Sequence, residues 1–232
     1  MKPIYRRTSW ILLVLVVVLV AARAALPYAV KSYLNRRMQR MGDYQGQIAD
    51  IDIHLWRGAY SIDGLRIEKV SDKVPVPLLD ARRTDIALSW RALSHGVLRG
   101  KVDFFDATLN FVDGSGKGAS QTGKGVDWRQ QLQLLTPMRL EELGVHNGTV
   151  TFRNFVSSPR VDLKMTAVEG SVSNLTNADR RQGRRVADLH ATAKVLGEAS
   201  LETRASFDPL ERGGDFSFQL QVRRIELTKA ND

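Results

Sequence analysis

Side chains that could carry chemistry are few and far apart in this sequence of 232 residues. Asp50, Asp52 and His54 alternate along one predicted strand, so they share a face and could offer oxygen and imidazole ligands to a cation. The same alternation is typical of the hydrated outer face of a half-buried strand. We favour the hydrated face, because solvation alone accounts for the alternation.

The remaining signals for catalysis are weaker. Residues 118–124 resemble the start of a phosphate-binding loop, but Gly125 stands where a Ser or Thr hydroxyl would hold magnesium. The histidines are far apart, cysteine is absent, and neither a Gly-x-Ser-x-Gly elbow nor a carboxylate pair in an apolar setting is present. The sequence therefore predicts no enzyme: no catalytic residue, no bound metal and no cofactor.

The element on which every other placement depends is an unbroken apolar run from Trp10 to Ala22, which follows Lys2, Arg6 and Arg7. Such a run is typical of a segment that the export machinery recognises, and not of a buried core helix. Its length of 13 residues favours a cleaved signal peptide, for which residues 22–24 (Ala-Arg-Ala) would supply the site.

An uncleaved signal anchor is the favoured alternative, because the apolar character resumes beyond Arg23. Residues 9–26 would span a bilayer if Arg23 reaches the interface, leaving residues 1–8 as a cytoplasmic tail. Positive charges on both sides leave the orientation open, but a short tail before a long polar domain favours export of that domain. The predicted membrane residues are Trp10, Ile11, Leu12, Leu13, Val14, Leu15, Val16, Val17, Val18, Leu19 and Val20.

Beyond the span, residues 27–42 continue with helical spacing. Val30, Leu34 and Met38 would lie on one side, and lysine and arginine residues on the other. This pattern predicts an amphipathic helix that leaves the membrane without a break. Its cations could contact anionic lipid headgroups.

The formal net charge of +9 permits binding to nucleic acid or to anionic lipid. No basic segment is interleaved with aromatic residues, as single-strand binding requires, and no familiar nucleic-acid motif is present. We therefore predict no nucleic-acid partner.

From Gly46 onward the apolar period changes from helical to two, which predicts strands. We expect a first antiparallel sheet segment over residues 46–113, a glycine-rich flexible loop over 114–126, and a short helix followed by a second sheet segment over 127–232. A phase slip at Asp63-Gly64 predicts a bend, and residues 146–148 (His-Asn-Gly) predict a hairpin turn. The predicted fold class is mostly β: an N-terminal transmembrane and amphipathic helix, one or two short helices, and a long, curved, groove-like antiparallel sheet with open edges.

The apolar positions of the predicted strands fall on one face, which has to be buried by closing, by folding over or by holding something apolar. The last predicted strand, Phe216 to Leu227, leaves an edge that could pair with another chain or with further sheet. The expected groove positions are Ile51, Ile53, Leu55, Ile86, Leu88, Phe105, Leu109, Phe111, Val150, Phe152, Leu189, Ala191, Val195, Phe207, Phe216, Phe218 and Leu220.

Four stretches carry a resemblance to a known family: residues 25–38 (ALPYAVKSYLNRRM), 58–67 (GAYSIDGLRI), 98–111 (LRGKVDFFDATLNF) and 140–154 (LEELGVHNGTVTFRN). With them the chain resembles the AsmA-like proteins of the Gram-negative envelope, within the repeating β-groove lipid-transfer superfamily. Among these it is most similar to a branch classified as a domain of unknown function. The similarity covers almost the whole chain, and its motifs are hydrophobic patterns punctuated by glycine.

The resemblance implies an inner-membrane anchor that carries a periplasmic sheet bent into an apolar groove, which is thought to pass phospholipid toward the outer membrane. Family members are usually longer, so further sheet would add at the open edge. The family has no catalytic motif to transfer to this chain. Two functions stay open: a lipid-binding or transport module, and a non-catalytic scaffold that pairs through its edge with another β-rich envelope protein.

Overall fold

The computed structural model describes residues 3–39, 41–54, 58–70, 74–89, 91, 94–95, 99–114, 119–121, 139–175, 180–181, 184–185, 187–197, 199–207 and 216–225. Within them the chain has one long α-helix followed by strands, so the predicted mostly β class is confirmed. The helix α1 is Pro3–Met38. The strands are β1 (Tyr44–Gln47), β2 (Asp50–His54), β3 (Ala59–Lys69), β4 (Leu79–Leu88), β5 (Arg99–Asp113), β6 (Arg139–Asn154), β7 (Val161–Ser173), β8 (Arg180–Arg181), β9 (Arg184–Arg185), β10 (Ala187–Val195), β11 (Ala199–Phe207) and β12 (Phe216–Arg223).

The helix α1 joins the predicted span and the predicted amphipathic segment without a break. Pro27 lies inside it and lacks an N–H, so the carbonyl of Arg23 loses its helical partner at that turn. Residues Trp10–Met38 form a helix long and apolar enough to cross a membrane. Each side chain from Trp10 to Val20 is between 47% and 68% exposed, so the protein itself does not cover this segment.

One open sheet of ten strands accounts for most of the fold. Its order is β1-β3-β4-β5-β6-β7-β10-β11-β12, with β2 pairing with β3 next to β1, while β8 and β9 form a separate pair. Neighbouring strands are antiparallel except β5 and β6, which run parallel. This parallel pair departs from the predicted antiparallel sheet.

The core lies where the C-terminal half of α1 covers the first strands. Leu26, Val30 and Leu34 pack against a cluster that includes Met38, which is only 3% exposed. The sheet contributes the buried residues Ile48, Ile51, Ile53, Ile62, Leu65, Ile67, Leu78, Ala81, Ile86, Val102, Ala107 and Leu140. The apolar stripe of the amphipathic segment is therefore a packing surface.

A line of irregular residues, which we call the crease, crosses the sheet at right angles to the strands. It consists of Gly64 in β3, Arg82 in β4, Asp106 in β5, Asn147 in β6 and Ala167 in β7, which lie where the pairing of neighbouring strands is interrupted. Four of these have left-handed backbones: φ is +62° at Gly64, 50° at Asp106, 52° at Asn147 and 46° at Ala167. Beyond them, the register of β7 and β10 shifts between Thr192 and Lys194.

At the crease each strand changes which of its alternate side chains face the core. In β5, Val102 and Phe104 face the core before the crease, whereas Ala107 and Leu109 do so after it. A left-handed residue changes the alternation in this way because it interrupts the extended backbone on which the alternation depends. The bend predicted at Asp63-Gly64 therefore belongs to a row of bends across the sheet.

The hairpin turn predicted at residues 146–148 is wrong. The strand β6 runs through these residues from Arg139 to Asn154 without reversing. Asn147 adopts the left-handed conformation that an Asn-Gly turn uses, but Asp106 Oδ1 accepts a hydrogen bond of 2.6 Å from its Nδ2, and its N–H donates to Glu169 Oε1 at 2.7 Å. These bonds to the neighbouring strands hold a bulge where the local sequence would form a turn.

Part of the loop predicted as flexible is packed against the sheet. Gln121 is fully buried, exchanges backbone hydrogen bonds with Val112, and donates from Nε2 to the carbonyl of Asn110 at 3.0 Å. Ser120 accepts a hydrogen bond from Lys69 on its carbonyl. The short helix predicted after residue 127 lies outside the described residues.

Candidate functional site

The candidate site is one face of the large sheet, defined by three rows of side chains that are partners in the strand register. We call it the apolar face. The first row is Tyr60, Ile86, Val102, Leu143, Val172, Leu189, Ala205 and Phe218. The second is Ile62, Thr84, Phe104, Val145, Gly170, Ala191, Thr203 and Leu220. The third, beyond the crease, is Ile67, Leu79, Leu109, Val150, Met165, Val195 and Ala199.

The three rows contain no charged side chain. Their only side-chain hydroxyls belong to Tyr60, Thr84 and Thr203. Tyr60 is largely buried, and this burial raises the pKa of its hydroxyl above the usual value, so it stays neutral. The apolar face can therefore receive hydrocarbon without desolvating a charge.

Exposure of the first two rows rises from the N-terminal to the C-terminal strands, whereas Val195 and Ala199 at the end of the third row are buried. At the first strands, Ile62 and Ile86 are 7% and 4% exposed beneath α1. At β12, Phe216, Phe218 and Leu220 are 75%, 57% and 54% exposed. An exposed run of large apolar side chains at one end marks a surface that binds something apolar.

The predicted groove residues fall into two groups, those that belong to or pack against the core and those that lie outside it. Ile51, Ile53 and Ile86 are buried in the core under α1, and Leu88 and Leu109 pack against that core. The core closes off the three isoleucines, whereas Leu88 and Leu109 are only partly buried. Leu55 lies outside the described residues.

The other predicted positions lie on the strands from β5 to β12, and all of them except the buried Val195 are partly or fully exposed. Val150, Leu189, Ala191 and Val195 belong to the three rows, and Phe111 pairs with Phe152 beyond the third row. Phe207 pairs with Phe216 at the end of β11 and β12. The structure thus brings β5, β6, β10, β11 and β12 together on one surface.

Phe105 is the exception, because it lies on the opposite face. Its ring stacks on that of His146, with centroids 4.8 Å apart, and His146 Nε2 lies 3.1 Å from Asp103 Oδ1. The core-facing neighbour is Phe104. The prediction assumed unbroken alternation from Phe105 to Phe111, and the left-handed residue Asp106 interrupts it.

Sequence reasoning missed several members of the apolar face, among them Val102, Phe104, Leu143, Met165 and Val172. A usable signal was present in β5, where two phenylalanines in succession precede Asp106. Asp and Asn tolerate a left-handed backbone. Two adjacent large apolar residues followed by one of them therefore indicate a point where the alternation of core-facing side chains along the strand changes.

The opposite face of the sheet is charged, and many of its charges form ion pairs. Arg82 and Asp106 form an ion pair of 2.5 Å across the crease, and Lys101 Nζ lies 3.0 Å from Glu142 Oε1. The hydrogen bond from Asn147, joined by the ion pair with Arg82, lowers the pKa of Asp106 despite some desolvation. The hydrogen bond to Glu142 raises the pKa of Lys101. This face of the sheet is therefore suited to contact with water.

The strand that carries Asp50, Asp52 and His54 belongs to the hydrated surface, as the favoured interpretation holds. All three side chains are exposed, Asp50 lies 4.0 Å from Lys31, and Asp52 lies 3.5 Å from His54. Within the described part of the chain, no group of three His, Asp or Glu residues is arranged to hold a metal ion.

The chain matches no protein-family model and no curated protein sequence.

Proposed function

We propose that this chain is an AsmA-like lipid-binding protein, anchored in the inner membrane of a Gram-negative bacterium by α1, with its sheet in the periplasm. Its apolar face would accept the acyl chains of phospholipids on their way between the inner and outer membranes. The observation that carries the proposal is the set of three uncharged rows that cross the sheet from β3 to β11, two of which continue to the exposed Phe218 and Leu220 of β12.

Two physical arguments support a lipid as the occupant. Each acyl methylene group that leaves water for an apolar surface contributes about 0.8 kcal/mol, so a long sheet face can retain a chain without specific polar contacts. In addition, α1 runs without a break from the apolar segment to Met38, which is buried against the sheet. The apolar face therefore starts close to the end of the helix that would lie in the bilayer.

The test is the phospholipid that stays bound to the full chain after detergent extraction and exchange into an amphipathic polymer that contains no lipid. We expect mass spectrometry to find phospholipid bound to the natural sequence, and several-fold less bound to Leu220→Asp. Because Leu220 is 54% exposed, this substitution should leave the fold intact, which circular dichroism checks.

The matched control is Gln221→Asp, which places the same charge on the opposite face of the same strand. It should retain the natural lipid load. The proposal fails if the natural chain carries no phospholipid, or if both variants lose it equally. Reporter fusions at Met1 and Asp232 test the orientation, and the N-terminal sequence of the mature protein distinguishes an anchor from a cleaved signal.

A second candidate function, envelope scaffolding, is favoured by the edge strand β12. It has eight residues without proline or glycine, and it bears exposed Phe216, Phe218 and Leu220. Natural edges of this kind usually carry a device against strand pairing. The chain has no cysteine, so Ser217→Cys provides a unique crosslinking position. A single stable β-rich partner crosslinked there, in a chain that carries no lipid, would favour the scaffold.

A further inference from the structure

The connection between β7 and β10 carries a run of arginines. Residues 180–185 read Arg-Arg-Gln-Gly-Arg-Arg, and the two strands in this run, β8 and β9, pair with each other. We call residues 180–185 the arginine hairpin. Asp179 is the only acidic residue in the whole connection, 174–186. Four cations within six residues repel one another, so an anionic surface close by would stabilise them.

The arginine hairpin is tethered at one end of the large sheet. On one side of it, the N–H of Leu175 donates to the carbonyl of Glu141 at 3.4 Å, and Leu175 packs against the core. On the other side, Ala187 is fully buried and begins β10. A single row of register partners connects this end of β10 with the last residue of β2: His54, Ala59, Ala87, Lys101, Glu142, Ser173 and Asp188.

The N-terminal part of α1 runs toward the same end of the sheet. The amide of Asn35 bonds to the backbone of Ile48, and Lys31 Nζ lies 4.0 Å from Asp50 Oδ1. Moving back along α1 therefore means moving forward along β2, toward His54. The apolar segment of α1 precedes these contacts, so it lies on the side of His54.

The distances place this end of the sheet close to the proposed bilayer. At 1.5 Å per helical residue, Val20 lies about 16 Å from Lys31 along α1. At 3.3 Å per strand residue, His54 lies about 13 Å from Asp50 along β2. The end of the sheet is thus about level with residues 20–26, where α1 would pass from hydrocarbon into the headgroups.

The charge of the connections differs between the two ends of the sheet. The connection 174–186 has the largest positive excess of any connection between strands. At the opposite end, two basic residues are balanced by two acidic ones in the connections 70–78, 155–160 and 196–198. At the same end as the hairpin, residues 208–215 contain three acidic residues and one arginine, so they are the competing partner within the chain.

We propose that the arginine hairpin binds the anionic phospholipid headgroups of the bilayer that holds α1. This inference rests on the proposed anchoring by α1. Guanidinium groups bind phosphate oxygens in a bidentate manner, and basic segments beside a span are attracted to anionic lipid. The hairpin gives the sheet a second attachment to the membrane, at β7 and β10, several strands away from α1. It therefore holds the C-terminal strands, where the apolar face is most exposed, next to the lipid.

The test is a spin label at Gln182→Cys, a unique thiol between the two pairs of arginines. The labelled full chain is placed in nanodiscs of phosphatidylcholine, with or without phosphatidylglycerol. We expect phosphatidylglycerol to slow the label and to reduce its accessibility to a neutral, water-soluble nickel complex about twofold. About 1 M salt should abolish the difference, because the Debye length is then about 3 Å.

Replacing all four arginines of the hairpin with glutamine should remove the response to phosphatidylglycerol. The matched control is the combination Arg160→Gln, Lys164→Gln, Arg223→Gln and Arg224→Gln, which removes the same charge from exposed positions at the opposite end of the sheet. It should respond like the natural chain. Circular dichroism checks that both variants keep their strands.

Three outcomes would overturn the proposal. The label could be equally restricted in phosphatidylcholine alone, which would show that the protein itself holds the hairpin, for example through residues 208–215. The glutamine variant could respond like the natural chain. A short RNA could restrict the label in discs where phosphatidylglycerol does not, which would assign the hairpin to nucleic acid. Alkaline carbonate extraction of the natural chain tests the anchor separately: retention in the pellet with an unresponsive label contradicts the hairpin proposal alone, whereas release contradicts the anchoring.

Discussion

At the scale of single residues, the crease depends on a few polar side chains and one glycine. Asp106 accepts from Asn147 on β6 and pairs with Arg82 on β4, so it ties together three strands at the point where each is bent. Gly64 provides the bend in β3, where its α-carbon faces Ala49. These residues determine which side chains reach the apolar face, although none of them belongs to it.

The lowered pKa of Asp106 makes the stability of the crease depend on pH. Because the folded pKa lies below the unfolded value, the carboxylate stabilises the fold above about pH 4, and this contribution is lost as the pH falls through the folded pKa. Asp106→Asn keeps the left-handed backbone but removes the charge. We expect it to lower the free energy of unfolding at pH 7, with a difference that shrinks toward pH 2.5. A difference that is constant with pH, measured by urea unfolding, would contradict this assignment.

Gly64→Ala should destabilise the protein by about 2–3 kcal/mol. The left-handed backbone costs an alanine about 1–2 kcal/mol, and the new Cβ would lie only 2.8 Å from that of Ala49. Gly42→Ala is the control, because its φ of +72° is similar but no atom lies within 4 Å of its Cβ position, so only the backbone cost applies. Urea unfolding of the detergent-solubilised chains measures both. Adding Ala49→Gly should recover the steric part of the loss, and its failure to do so would rule out the contact with Ala49.

At the scale of elements, α1 and the sheet form a fixed junction. Beyond the apolar packing of Leu34 and Met38, the amide of Asn35 bridges both backbone groups of Ile48: Oδ1 accepts from the N–H at 2.8 Å and Nδ2 donates to the carbonyl at 3.3 Å. Ile48 lies in the gap between β1 and β2, where no sheet partner is available to it. The helix supplies the missing hydrogen bonds, so α1 is fixed to the sheet at Ile48.

Asn35→Ala should lower the free energy of unfolding by about 1–3 kcal/mol, because two partly buried backbone groups lose their partner. Hydrogen exchange of the Ile48 amide should accelerate most. Arg37→Ala, two residues further along on the exposed side of α1, should change stability by less than about 0.5 kcal/mol. If the Ile48 amide remains as protected as in the natural chain, the junction does not depend on this bridge.

At the scale of the whole molecule, the exposed apolar surfaces include the helix from Trp10 to Val20 and the apolar face near β12. Between them the core under α1 is closed. A protein with both surfaces exposed to water would aggregate. The arrangement is stable if the first surface lies in a bilayer and the second is covered by a ligand or a partner.

Two lysines in the helix should remove the chain from the membrane. Leu13→Lys with Val17→Lys adds about 5–7 kcal/mol to the cost of insertion, since each charge at the centre of a span costs about 2.5–3.5 kcal/mol. Alkaline carbonate extraction should then find the variant outside the membrane pellet. Leu13→Ile with Val17→Ile controls for the substitutions themselves and should stay in the pellet. Retention of the lysine variant would show that the helix is not the anchor.

Much of this organisation could be predicted from local pattern. The apolar run from Trp10, its helical continuation to Met38, and most strands from β3 to β12 follow from the spacing of apolar residues along the chain. Spacing of this kind reflects which side of an element meets water, and it requires no knowledge of distant contacts. The sequence by itself thus determined one apolar helix followed by a sheet that is apolar on one side.

Tertiary structure decided the rest. Asn147 forms a bulge instead of a turn because Asp106 and Glu169, both far away in sequence, satisfy its polar groups. Phe105 faces the polar side for the same reason, since the crease exists only when the strands pair. The parallel pairing of β5 with β6, and the closure of one end of the apolar face by α1, likewise depend on contacts between distant segments. The local pattern of apolar residues carries no information about such contacts. The face on which a side chain lies, and whether α1 covers it, are set by the free energy of the assembled sheet.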